Sequence, residues 1–149
     1  MLKTKIAVFV SGGGTNFEAL INAQANGKIP HGEIVLMVSS SRTAYALKRA
    51  ENHGIKSVVC SKKELGSQEK FEEEILKNLE ENNIQLIVLA GFMSILSKEF
   101  TKKYENRIIN IHPSLIPSFC GEGFYGLHVH EAALKKGVKV TGATVHIVN

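Results

Sequence analysis

The residues with the clearest chemical potential lie in "NIHPSLIP", residues 110–117, where an amide and an imidazole sit two positions apart at the end of an apolar run. Residues i and i+2 of a strand face the same side, so Asn110 and His112 would be aimed into one cleft. Pro113 biases His112 toward extended backbone and keeps the strand straight to its last residue. An imidazole can move a proton near neutral pH. An amide can donate a hydrogen bond to an oxygen that gains negative charge. No Ser or Cys nucleophile sits in a recognisable motif, and Ser114 and Ser118 read as turn residues beside prolines. The pair therefore suggests direct acyl transfer between two bound substrates. A structural strand end with polar side chains capping a loop is the competing reading, and spacing alone leaves it open.

A second cluster is "SGGGTN", residues 11–16, between an apolar run and a helix start. Glycines let backbone approach a ligand closely. The free N–H groups and dipole of a helix start favour an anion, and Thr15 and Asn16 add donors. The alternative is a tight turn with Asn16 as a simple cap. The pattern is not a dinucleotide fingerprint, because after Gly12 and Gly14 the next glycine would fall at Phe17. It is not a Walker loop, since no Gly-Lys-Ser/Thr follows. A single phosphate monoester fits best.

Positioning these residues requires a particular order of elements. Apolar runs at 5–10, 33–40, 55–60, 84–90 and 107–112 read as strands, and the alternating 138–148 as a sixth, longer one. Helical spacing appears at 16–27 and 44–54, then in a stretch capped by Ser67 with Phe71, Ile75, Leu76 and Leu79 on one stripe, and at 98–107 and 130–137. This βαβα order predicts an α/β fold, a mainly parallel twisted sheet with helices on both faces. Such sheets bind ligands beyond the carboxyl ends of their strands. "SGGGTN", "AGFMSIL" (90–96) and "NIHPS" all fall at such ends.

The composition is compatible with this. The chain has 149 residues, 44% hydrophobic and 21% charged, with a net charge of +4. That describes a globular domain with a core. The basic residues are scattered and no aromatic-interleaved basic patch appears, which speaks against nucleic acid. No apolar stretch approaches membrane-spanning length. The N-terminus reads as a strand rather than a signal peptide. Cys60 and Cys120 make neither a disulfide framework nor a metal motif, and they fit a reducing cytoplasm. His128 and His130 lie near a helix start, where i and i+2 diverge, so no metal site is expected. His146 alternates with Thr144 and Val148 as a packed or cleft-lining residue. The loop 118–126 reads as a wall of the cleft.

"SGGGTN", "LAGFMSILS" and "NIHPSLIPSFCGEGFYGLHVHEAALKKGVKVTGATVHIV" together resemble the formyltransferase family, and within it the branch that formylates glycinamide ribonucleotide in purine biosynthesis. The resemblance implies a Rossmann-like fold. It implies transfer of a formyl group from 10-formyltetrahydrofolate, a co-substrate, to the amine of glycinamide ribonucleotide, without a metal. Gly14, Thr15 and Asn16 would hold the ribonucleotide phosphate region. Met93, Ser94, Ile95 and Leu96 would line the folate pocket. Asn110 would bind the formyl oxygen and His112 would transfer the proton. Many members carry an arginine near the folate site where this sequence has Gln68. The family's catalytic aspartate, last strands and C-terminal helix fall beyond the position of Asn149. Residues 1–149 are thus expected to form the catalytic domain without that segment, binding the phosphate with little or no formyl transfer. Small-molecule substrates are the expected partners, with no nucleic acid and no membrane; an oligomer is compatible. The alternatives are another 10-formyltetrahydrofolate enzyme, such as a hydrolase or a tRNA formyltransferase, and an inactive nucleotide-binding fragment.

Overall fold

The computed structural model describes residues 3–113, 139–140 and 143–147. Strand β1 (Thr4–Val10) is followed by helix α1 (Thr15–Ala25), β2 (Gly32–Ser39), α2 (Ala46–Asn52) and β3 (Lys56–Val59). The chain continues through α3 (Lys62–Leu65), α4 (Gln68–Glu81), β4 (Leu86–Leu89), α5 (Lys98–Lys103) and β5 (Ile108–Pro113), then β6 (Lys139–Val140) and β7 (Ala143–Ile147). The strands lie in the order β3-β2-β1-β4-β5-β7-β6. The first five in that order are parallel throughout, while β7 runs antiparallel to β5, and β6 antiparallel to β7. The expected parallel α/β sheet is present.

Each central strand is apolar on both sides because helices cover both sides. Val8, Val10, Val88, Ile109 and Ile111 face a core closed by Phe17 and Leu20 of α1 and Ala46 and Ala50 of α2. Phe9, Leu36, Ile87 and Ile108 face a second core closed by Phe71, Ile75 and Leu79 of α4 and Phe100 of α5. The four-residue spacing of Phe71, Ile75 and Leu79 makes the buried stripe of α4, with Leu76 at its edge. Ser67 caps α4 as expected, its side chain accepting from the Lys70 N–H.

Two details differ from the sequence reading. The segment 138–148 is not one long strand but two, β6 and β7, paired with Lys139 opposite Thr144 and Val140 opposite Ala143. The second is α3, a single turn absent from the sequence reading and capped by Ser61. The expected helix 130–137, the loop 118–126, Ser114, Ser118, Cys120, His128 and His130 lie outside the described residues.

Candidate active site

The strand order reverses its direction of growth between β1 and β4. After β1 the chain turns to α1 on one face; after β4 it turns to α5 on the other. Two loops leaving adjacent parallel strands toward opposite faces open a crevice at the carboxyl edge, the usual ligand position in this architecture. One wall is the glycine loop and the other is the segment 91–96.

The glycine loop is shaped by α2. Gly14 is the N-cap of α1, with φ +77°, and no side chain caps the helix. Asn16 lies inside the first turn and is not a cap. A Cβ on Gly14 would sit 2.7 Å from the Cβ of Ala46, whereas one on Gly12 or Gly13 would meet nothing within 4 Å. Gly14 is therefore required by backbone conformation and by contact with α2, and the open positions are Gly12 and Gly13. The Ala46 N–H donates to the Gly12 carbonyl at 3.3 Å, and Arg49 Nε donates to the Gly13 carbonyl at 2.7 Å. The first-turn N–H groups of Thr15 and Asn16 have no intrahelical partner, as at any helix start.

The opposite wall is anchored from below and from the side. Phe92 sets its ring edge-on to Phe9 of β1, centroids 5.2 Å apart. Gln68 donates to the Ile95 carbonyl at 2.9 Å and to Glu72 Oε2 at 2.6 Å. Glu72 also accepts from the Ser97 N–H and hydroxyl, both at 2.6 Å. Gln68 thus binds the segment's backbone, as a neutral donor rather than a charged fork. Held this way, Met93 and Ile95 are 85% and 80% exposed, while Leu96 packs partly into the core and Ser94 is half-buried. Two large apolar side chains held in solvent by an ordered backbone make a surface suited to a flat apolar ring.

Ser11 joins the walls. Its N–H donates to the Gly91 carbonyl at 3.2 Å, its hydroxyl accepts from the Met93 N–H at 2.8 Å, and it lies 2.6 Å from the Ser40 hydroxyl at the end of β2. Sequence reasoning missed Ser11, Ser40, Arg49 and Glu72. The signals available were a serine ending each of two buried strands and a cation spaced among the buried alanines of α2.

Asn110 is half-buried on β5, next to Leu89 of β4 and opposite His146 of β7. Ile108 belongs to the core under α4 and α5, and Ile109 and Ile111 to the other. Alternation therefore puts Asn110 on the face of the 91–96 segment. His112 has the same parity, two residues on and opposite Thr144. Its side chain and that of His146 lie outside the described residues. Among the described residues no His, Cys, Asp and Glu group could hold a metal, and no helix is long and apolar enough to cross a membrane.

These features define a class: a parallel α/β protein whose glycine loop and 91–96 segment meet at its topological switch point. The chain belongs to the formyl transferase family, whose pattern it matches over residues 4–149. It is 38% identical to a phosphoribosylglycinamide formyltransferase of Haemophilus influenzae, over 97% of this chain and 66% of that protein. It is 47% identical to the trifunctional purine biosynthetic protein adenosine-3 of Gallus gallus, over 98% of this chain and 14% of that much longer one. The phosphoribosylglycinamide formyltransferase structure from Coxiella burnetii superposes with a TM-score of 0.75 at 39% identity, covering 99% of this chain and 66% of that one. The Bacillus halodurans structure gives 0.74 at 39%, covering 98% and 72%. The chain thus spans just under two thirds of the Haemophilus relative.

Proposed function

We propose that this protein catalyses transfer of a formyl group from 10-formyltetrahydrofolate to the amine of glycinamide ribonucleotide. The observation that carries the reading is the pair of unlike walls joined at Ser11: backbone N–H groups of a glycine loop on one side, exposed Met93 and Ile95 on the other. The first suits a phosphate monoester and the second a pterin ring. Relatives bearing the name phosphoribosylglycinamide formyltransferase support the choice of ligands.

In this reading Gly13, Gly14, Thr15 and Asn16 bind the ribonucleotide phosphate. Met93, Ser94, Ile95 and Leu96 bind the folate ring, with Gln68 holding the Ile95 carbonyl. The folate supplies an activated formyl carbon. Asn110 donates to the formyl oxygen as it gains charge during attack by the amine. His112 carries the proton lost by that amine toward the departing folate nitrogen. The amine adds to the formyl carbon to give a tetrahedral intermediate, and the bond to the folate nitrogen breaks as that intermediate collapses, so no covalent enzyme intermediate and no metal are required. The reading places the protein in the cytoplasm.

The test is a formyl-transfer assay on an enzyme of full family length carrying this sequence, with glycinamide ribonucleotide, water and tRNA as competing acceptors. Asn110→Ala should lower turnover by about 10²–10³, and His112→Ala by about 10²–10⁴. Formate release independent of ribonucleotide would reject the assignment in favour of a hydrolase.

A further inference from the structure

The α2 helix carries a group that the reaction itself does not use. Arg49 is partly buried, with its Nε 2.7 Å from the Gly13 carbonyl. Its Nη1 is 3.4 Å from Glu18 Oε1, and its guanidinium stacks 4.9 Å above the Tyr45 ring. Glu18 in turn meets His53 Nε2 at 2.7 Å through its other oxygen. A guanidinium fixed on three sides is a rigid donor rather than a mobile surface charge.

Its target matters because of peptide geometry. No peptide bond among the described residues is cis. In a trans peptide the C=O and the following N–H point in opposite directions. The Gly12 carbonyl is turned toward the Ala46 N–H, so the Gly13 N–H points away from α2. The Gly13 carbonyl is turned toward Arg49, so the Gly14 N–H points away too. Neither of these N–H groups has a partner among the described residues. Two consecutive N–H groups directed to one side, followed by the free first turn of α1, make an anion-binding concavity. Glycines have little preference of their own, so something else must select this arrangement.

We propose that Arg49 is the positioning residue of the phosphate loop: by holding the Gly13 carbonyl it aims the Gly14 N–H at the ribonucleotide phosphate, and Glu18 with His53 braces it. The inference rests on the phosphate reading of the loop given above. Arg49 acts through the backbone and does not itself neutralise the phosphate, since its charge is already met by Glu18. This distinguishes it from a simple electrostatic attractor, and the two roles predict opposite signs for one variant.

The experiment compares Arg49→Met, Arg49→Lys and Glu18→Ala with the parent protein. Binding of glycinamide ribonucleotide and of inorganic phosphate is measured by calorimetry, alongside KM for each substrate, kcat and thermal unfolding. Arg49→Met should raise the ribonucleotide KM at least tenfold while saturated kcat and the folate KM stay within twofold. Arg49→Lys keeps the charge but lacks the planar fork that bonds Gly13 and Glu18 through separate nitrogens, and it should recover only part of the loss. Glu18→Ala removes a negative charge near the loop yet should weaken phosphate binding, because the brace is gone. Tighter binding in Glu18→Ala, or parental binding in Arg49→Lys, would show a charge effect and overturn the proposal. If Arg49→Met unfolds, the other two variants decide. A parent that binds neither ligand sinks the phosphate reading and the proposal with it; a parent that binds, with all three variants alike, sinks the proposal alone.

Discussion

At the scale of single residues, the three consecutive glycines of the loop have different jobs. Gly14 takes a positive φ and abuts Ala46, so alanine there combines left-handed strain with a 2.7 Å clash. Gly13 has open space and an ordinary φ. We expect Gly14→Ala to destabilise the protein by about 2 kcal/mol or more, seen as a lower denaturant midpoint. Gly13→Ala should fold normally yet weaken ribonucleotide binding by crowding the anion's approach. Equal stability of the two variants would show that α2 does not constrain the loop. The placement of these stretches was legible in the sequence: the loop, the Asn110–His112 parity and the 91–96 segment all fall at strand ends. What was not legible is who holds them. Arg49 and Gly13 are 36 residues apart, and Ser11 and Met93 are 82 apart. Local spacing carries no trace of such pairings, which exist only once the sheet is assembled.

Among the secondary-structure elements, α4 does two things at once. Its apolar stripe builds the second core, while Gln68 and Glu72 on its first turns hold the 95–97 backbone. The Ser97 hydroxyl donates to Glu72 Oε1 and accepts from the Phe100 N–H, so the start of α5 depends on the same carboxylate. Glu72→Ala should leave three donors without their acceptor. A loss of about 1–3 kcal/mol is expected, together with a raised folate KM and an unchanged ribonucleotide KM. A KM change shared by both substrates would mean the network supports the fold rather than one wall. The long elements were readable because continuous apolar runs and a four-residue stripe are strong patterns. Helix α3 was not, since one turn has no periodicity. Its mark was the Ser61–Glu64 spacing, in which the Ser61 hydroxyl accepts from the Glu64 N–H.

For the molecule as a whole, the second core contains a thiol whose ionisation bears on stability. Cys60 is fully buried beside the α4 stripe. Burial, with a smaller contribution from Glu74, pushes its thiol from an ordinary 9.0 up to about 12. The unfolded chain loses this proton above its ordinary value while the folded chain keeps it. The unfolded state then binds fewer protons, so stability is complete below about pH 9 and falls as pH rises toward 12. The slope is about 1.4 kcal/mol per pH unit. Urea midpoints at pH 8 and pH 10 should diverge more for the parent than for Cys60→Ala, and parallel shifts would reject the assignment. The bridge made by Ser11 has a different kind of consequence. One hydroxyl fastens both walls, so ordering either wall by its ligand lowers the entropy still to be lost at the other. The two proposed substrates should then be thermodynamically coupled, each tightening the other by the same factor, as linkage demands. Calorimetric titration of each ligand with and without the other measures that factor, and Ser11→Ala should bring it close to one.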